Sequence, residues 1–535
     1  MKSIGQHKNV PLDAIIIGAG FGGIGMAVAL QKAGLGELLI LEKQHDFGGV
    51  WRDNTYPGAA CDVPSHLYSF SFEPNPRWSR VFAPQAEIYQ YLVRCAEKHR
   101  LRSKIKFGCE VASASYDEQR AIWTVTTAQG LAFQTRYLIT ATGQLSKPAY
   151  PKLDGLDQYK GHAFHSAHWD HAHDLSGKKV AVIGTGASAI QFVPAIADKV
   201  GELTVFQRSA AYILPRPDGA YAAWRKALFA KLPWTMKLHR ARIYMQYETR
   251  AISFTRIKSL MQLAVGLPFK ALLRRQVVDR DLRERLTPDY PIGCKRILLS
   301  NDYLATMAKS NVRLATEGIR RITPDGVETS DGRHHPFDAI IYGTGFAATD
   351  FLAPMKITGR NGTDLNEAWR QGAQAYLGMT VPGFPNFFML YGPNTNLGHS
   401  SIVYMLESQI AHVIRCLQAA RKADAQTVEV DADRYTRFNS WVQARLRSTV
   451  WQGCNSWYVD KNGHNSTNWP GFTFSYRWLA KRSSLGAYRF SAVAPPQPNA
   501  ARAAKQSAPA WRRDATVTAS GPNVEWAQRD DARRT

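Results

Sequence analysis

Leu12-Asp13-Ala14-Ile15-Ile16-Ile17-Gly18-Ala19-Gly20-Phe21-Gly22-Gly23, followed by Glu42 at the end of a second apolar run, is the stretch that decides the fold. The apolar run reads as a strand ending in a glycine turn. Residues 25–33 read as a small-residue helix closed by Gly34, and Leu38 to Leu41 as the next strand. Strand, glycine turn, helix, strand at this length is the unit of a dinucleotide fold. Gly18, Gly20 and Gly23 let backbone N–H groups approach a pyrophosphate, and the helix N-terminus adds partial positive charge. Glu42 can accept hydrogen bonds from both hydroxyls of an adenosine ribose and would repel a 2′-phosphate, which fits FAD or NAD. Without a ligand, the same glycines would be an ordinary turn of a packed α/β sheet.

The unit recurs. Val180-Ala181-Val182-Ile183 leads into Gly184-Thr185-Gly186-Ala187-Ser188-Ala189, then a helix to about Ala197 and a strand over 203–206. No acid stands where Glu42 stood. Gln207-Arg208-Ser209 places a cation and a hydroxyl there, and a guanidinium binds phosphate in bidentate fashion, so this site should prefer NADPH to NADH. The plainer reading of Arg208 is a solvated surface arginine.

Strands are expected at 123–127 and 137–141, with a turn out of the first domain at Ala141-Thr142-Gly143. Residues 221–276 read as an inserted helical block rich in Lys and Arg, including Arg256 and Lys258, with Glu248 its only acid. A buried strand at 337–341 is then expected to carry the chain back to the first domain. The expectation is an α/β protein with two Rossmann-like dinucleotide-binding domains, the FAD domain discontinuous, and a helical insert. Its parts are 1–150 (FAD domain, first part), 151–335 (NADP domain, with the basic insert at 221–290), 336–493 (FAD domain, second part, with the substrate pocket) and a disordered tail at 494–535.

Composition sets bounds on this reading. At 535 residues, 45% hydrophobic and 21% charged, the chain is long enough for several cores. Met1 to Pro11 lacks the basic and apolar regions of a secretory signal, so no export is expected. Six scattered cysteines with no CxxC pair read as reduced thiols of a cytoplasmic protein, with no metal site. No apolar stretch reaches membrane-spanning length. A net charge of +24 would fit nucleic acid or an anionic membrane, but no nucleic-acid module is recognisable.

Two nucleotide sites in one chain imply hydride transfer from NADPH to a flavin. A disulfide reductase would need a redox cysteine pair, and no cysteine lies near Cys61 in sequence. The segment from Tyr159-Lys160-Gly161-His162 through His165 to Trp169-Asp170 resembles the fingerprint of type I Baeyer-Villiger monooxygenases, with Tyr159 where Phe is commoner. Gly48-Gly49-Val50-Trp51, Tyr56-Pro57-Gly58 and Asp62 match a second signature of that family. The resemblance runs from about Asp13 to Pro470. Flavin monooxygenases acting on nitrogen or sulfur share the glycine motifs but typically lack the Trp-Asp ending and the Asp62 signature.

The resemblance implies roles. Arg296, in Pro291-Ile292-Gly293-Cys294-Lys295-Arg296, matches the active-site arginine, Asp62 the carboxylate that positions it, and Lys295 a lysine holding the NADPH 2′-phosphate. Gly49, Val50, Trp51, Tyr68 and the backbone at Val111 fall at FAD-contacting places. The implied reaction uses O2 to insert oxygen beside a ketone carbonyl, through a flavin peroxide that must stay deprotonated, giving an ester or lactone. A guanidinium stabilises such an anion without giving up a proton. His165 and Trp169 read as a link between domains rather than as chemistry, and His399 as structural. Trp451, Trp457 and Trp469 are pocket or core. Weak docking of the basic block at the inner membrane, with Trp224, Trp234, Phe254 and Phe269 beside its cations on anionic lipid, stands beside a second reading, a solvated cover over the active site.

Overall fold

The structure is a computed structural model describing residues 10–255, 257, 259–452, 456–460, 462–482 and 485–492. The tail expected to be disordered, Arg256, Lys258 and Cys454 lie outside the described residues. Two sheets organise the chain. The first runs in the order Lys356–Thr358, Val111–Asp117, Ile122–Thr127, Ala132–Thr140, Leu12–Ile17, Leu38–Leu41, Ile105–Lys106, with Phe387–Met389 also paired to Ala132–Thr140. The second runs Val312–Ala315, Glu202–Phe206, Lys179–Ile183, Ala339–Tyr342, His162–His165, every neighbouring pair parallel.

The central strands are apolar without alternation because both faces are covered, as parallel sheets require. Ala14, Ile15 and Ile16 are buried in one sheet, and Val180, Ala181 and Val182 in the other. Each glycine turn leads into a helix at the carboxyl end of such a strand, Phe21–Lys32 in the first case and Ala189–Ile196 in the second. That edge is where open α/β sheets bind their ligands.

One boundary is corrected. The strand expected at 337–341 forms as Ala339–Tyr342, but inside the second sheet, between Lys179–Ile183 and His162–His165. The chain rejoins the first sheet only at Lys356–Thr358 and again at Phe387–Met389, not at residue 336. A short apolar run suits the centre of either sheet, so its pattern carries no information on which sheet takes it.

The helical block consists of Ala223–Lys231, Pro233–Thr249, Ala251–Thr255, a π-helical turn at Gln262–Gly266, Leu267–Gln276 and Arg280–Arg285. Pro233 starts the longest helix at a position where a proline loses no hydrogen bond. Arg240 anchors that helix to the first domain, donating to the carbonyls of His66 at 2.8 Å and Ser69 at 3.0 Å.

The cysteines are also corrected. Cys61, Cys95, Cys109 and Cys416 are free and buried, but Cys294 is disulfide-bonded. Pairing depends on tertiary approach of Cα atoms, which spacing in sequence does not report. The thiols therefore lend no support to a reducing compartment. Among the described residues no helix is long and apolar enough to cross a membrane, and no cluster of His, Cys, Asp and Glu could hold a metal.

Candidate active site

The first glycine turn is built for close backbone approach. A Cβ on Gly23 would stand 1.9 Å from the Gly18 carbonyl oxygen, and one on Gly18, whose φ is +102°, 2.6 Å from that of Ala141. Gly20 faces Gly49, whose added Cβ would lie 3.1 Å from the Gly20 Cα. Such a bare cradle fits a pyrophosphate. Glu42 is buried at the end of its strand, accepting from Ala19 N at 2.8 Å and Gln44 N at 3.0 Å. Arg52, which the sequence gave no reason to single out, pairs with it at 3.4 Å. Two oxygens with several lone pairs leave Glu42 capacity for ribose hydroxyls.

Gly49 precedes the short helix Val50–Asp53, which presents Trp51. The Trp51 indole N–H donates to the Tyr68 hydroxyl at 3.2 Å, and their rings meet edge to face at 5.6 Å. Val111 opens its strand two residues past Cys109, whose N–H donates to the Glu42 carbonyl at 2.9 Å. Glu42 and Gly49 thus meet the first glycine turn directly, and Trp51 with Tyr68 and the segment leading to Val111 adjoin them.

The second turn repeats the device. Gly184 has φ +110°, and a Cβ there would stand 2.5 Å from the Gly343 carbonyl oxygen. Gly186 is open, Ala187 and Ser188 follow, and Ala189 starts the helix. The Thr185 hydroxyl donates to the Ser209 carbonyl at 3.1 Å, holding the turn against the strand end that carries Arg208. Lys295 arrives from the distant loop and donates to the Ser209 hydroxyl at 2.9 Å. Burial, then the Arg208 charge, hold the Lys295 ammonium below the usual lysine value, with Asp289 opposing. Arg208 itself is exposed. Two cations and a hydroxyl converge where the dinucleotide fold puts the ribose 2′ position.

The next residue of the loop points elsewhere. Arg296 donates to Asp62 Oδ2 from Nη2 at 2.5 Å and from Nε at 3.1 Å. The side chains are 30% and 29% accessible although protein surrounds the guanidinium, so the pair faces an internal space rather than bulk solvent. The Asp62 charge raises the Arg296 pKa still further, against desolvation. Around it stand Tyr391 and Tyr458, both phenols pushed up by burial and drawn down by Arg296, Tyr458 to about 12. Tyr391 has φ +61°, costly for a side chain of its size, and donates to Asn396 Oδ1 at 2.8 Å. Asn396 in turn donates to Asn468 at 3.0 Å, tying two loops together beneath the site.

A family model described as pyridine nucleotide-disulphide oxidoreductase matches residues 15–251. A Baeyer-Villiger monooxygenase of Pseudomonas aeruginosa is 46% identical over 479 residues, 89% of this chain and 91% of that protein. The chain belongs to the Baeyer-Villiger monooxygenase family. Among solved structures, an oxidized steroid monooxygenase bound to NADP superposes with a TM-score of 0.80 at 31% identity, covering 90% of this chain and 99% of that one. The OTEMO complex with FAD and NADP gives 0.81 at 28% identity, covering 90% and 100%.

The remaining family motifs hold the two sheets in register. Tyr56 donates to Gln191 Oε1 at 3.0 Å, and a Cβ on Gly58 would stand 2.7 Å from the Gln191 carbonyl oxygen. Tyr56 and Trp169 both pack on Phe192, so a signature from the first sheet and the fingerprint meet on the helix after the second turn. His165 ends an edge strand of the second sheet and accepts from Ala167 N at 3.1 Å, with burial lowering its pKa to about 4. His399 is buried, 4.0 Å from Glu248. Trp451 and Trp469 are core residues, whereas Trp457 is 38% exposed. Cys61, beside Asp62, is a free thiol.

Proposed function

We propose that this chain is an FAD-dependent, NADPH-consuming enzyme that uses O2 to convert an apolar ketone to an ester or lactone. One observation carries the reading: the adjacent residues Lys295 and Arg296 reach, respectively, Ser209 beside the second glycine turn and the Asp62 carboxylate near Tyr68. When bound, FAD supplies hydride acceptance from NADPH and activation of O2. The first glycine turn, Glu42, Trp51 and Tyr68 would hold it. The second turn, Arg208, Ser209 and Lys295 would hold NADPH and select it over NADH by its 2′-phosphate.

Arg296 contributes a permanent positive charge in an enclosed space, where such a charge is worth far more than in water. It stabilises negative oxygen and polarises the ketone carbonyl, without a labile proton to lose. Asp62 fixes the direction of the guanidinium and tempers its charge. Tyr391 and Tyr458, whose phenols burial pushes up, remain protonated at neutral pH and do not act as bases, and the one hydroxyl proton of Tyr391 is donated to Asn396. Apolar and aromatic groups crowd the same loop: a Cβ on Gly293 would meet Met261 at 2.7 Å and Val450 at 3.1 Å. These surroundings favour an apolar substrate.

The enzyme works in the cytoplasm, where NADPH is available, with weak peripheral contact at the inner membrane through its basic helical block. The test is NADPH oxidation against a panel of ketones, amines and sulfides with product identification. Esters or lactones are expected. N-oxides or sulfoxides without ester would replace this reading with heteroatom oxygenation.

A further inference from the structure

The helix Pro233–Thr249 is apolar on two opposite sides. Met236, Ile243 and Tyr247 are buried inward. Outward, Trp234, Leu238 and Met245 are 61%, 65% and 59% exposed. With the exposed Ala241 they fall at i, i+4, i+7 and i+11, which is one stripe of a 3.6-residue helix. Trp224, on the preceding helix, is 69% exposed.

The stripe does not end with its helix. Glu248 accepts from the N–H of Thr473 and, at 2.6 Å, from its hydroxyl, tying the start of the helix Thr473–Arg482 to the last turn of Pro233–Thr249. There Phe474 and Trp478, at i and i+4, are 52% and 46% exposed. Exposed Trp, Leu, Met and Phe gathered in one region mark a surface that is covered when the protein works.

Charge identifies what covers it. Lys237 and Arg242 flank the stripe on either side, and Lys231 stands at the turn before it, all exposed. Between residues 221 and 250 the sole acid is Glu248, and it is buried under Thr473. A second copy of this face would set cation against cation. An acidic bilayer satisfies both components, with indoles at the headgroup boundary and cations on lipid phosphates.

We propose that the outward stripe of Pro233–Thr249, extended by Phe474 and Trp478, docks this enzyme on an anionic phospholipid bilayer. The proposal rests on the ketone reading only for the cargo it delivers, since docking itself needs no turnover. Apolar ketones concentrate in bilayers, and the inward side of the docking helix adjoins the oxygenation site. Burial lifts the Tyr247 phenol to about 12, with Arg250 drawing it down and the nearby Asp62 carboxylate adding to the rise. One helix thus separates the lipid from the pocket.

The test is co-sedimentation of the full-length holoenzyme with vesicles of phosphatidylcholine alone or mixed with phosphatidylglycerol. Two variants accompany it: Trp234→Ser/Leu238→Ser/Met245→Ser and Lys231→Gln/Lys237→Gln/Arg242→Gln. The wild type should bind in proportion to phosphatidylglycerol, lose binding with salt, and show a blue-shifted tryptophan emission. Each variant should bind about tenfold or more weakly, while keeping wild-type turnover of a water-soluble ketone, which shows the fold intact. Equal sedimentation of wild type and both variants would overturn docking. So would sedimentation equilibrium showing a wild-type dimer that the serine variant dissolves, because the stripe then belongs to a second copy. Binding that persists in a protein making no ester upholds docking and removes only the ketone reading.

Discussion

Arg296 and Asp62 lie 234 positions apart and share two hydrogen bonds inside the molecule. Replacing Arg296 by Ala should leave FAD content and flavin reduction by NADPH intact and lower ester formation by roughly 10²–10³-fold, the usual effect of deleting a stabiliser of oxygen charge. Flavin absorbance and product chromatography separate the two outcomes. Ester formation within a few-fold of wild type would remove Arg296 from the chemistry. Lys295 responds to pH. Its pKa is lowered, so it loses its charge earlier than an ordinary lysine as pH rises. The KM for NADPH should therefore climb at alkaline pH while the KM for NADH stays flat, and Lys295→Ala should erase that difference between the cofactors. Steady-state kinetics across pH would read both.

At the scale of elements, each glycine turn makes its own prediction. Gly23→Ala places a methyl group 1.9 Å from the Gly18 carbonyl oxygen, so the protein should be recovered without flavin or not at all. Gly184→Ala presses on Gly343 in the second sheet and should leave flavin bound while flavin reduction by NADPH slows at least tenfold, about 1.4 kcal/mol. Stopped-flow bleaching of the flavin measures it. Both turns were legible because strand, glycines, helix and Glu42 or Arg208 form a local pattern with a fixed period. The strand Ala339–Tyr342 was legible as a strand but not by sheet, since four apolar residues fit either centre. Tyr391, Tyr458 and Arg52 carried no local signal at all. Their places follow from loops meeting in space, and only the φ of +61° at Tyr391 marks the strain of one of them.

Over the whole molecule, buried histidines set the response to acid. His165, His399 and His412 have pKa values lowered to about 4 by burial, and His66 to about 3, from 6.5. Each is neutral in the fold and gains a proton more readily when unfolded. Stability is therefore complete above about pH 6.5 and lost as pH falls toward 4, because the unfolded chain binds more protons across that window. Thermal unfolding followed by circular dichroism should show Tm falling steeply between those values. A Tm constant from pH 7 to 4.5 would contradict the burial of these rings. The wider plan, one mixed and one parallel sheet each with a nucleotide turn, was readable from repetition of one motif, and Trp224 and Trp234 were readable as outward residues, whereas Phe254 and Phe269, expected beside them, are buried, because helix periodicity alone cannot tell an outward apolar stripe from a core one.

The covalent bond between Lys295 and Arg296 has a further consequence. Neighbours on a backbone cannot be repositioned independently, so a backbone shift that moves Lys295 against Ser209 also moves Arg296 relative to Asp62. Inserting a single glycine between them would leave both side chains present and break their common hinge. Such a protein should consume reductant and release hydrogen peroxide rather than product, a failure of timing in which neither group is missing.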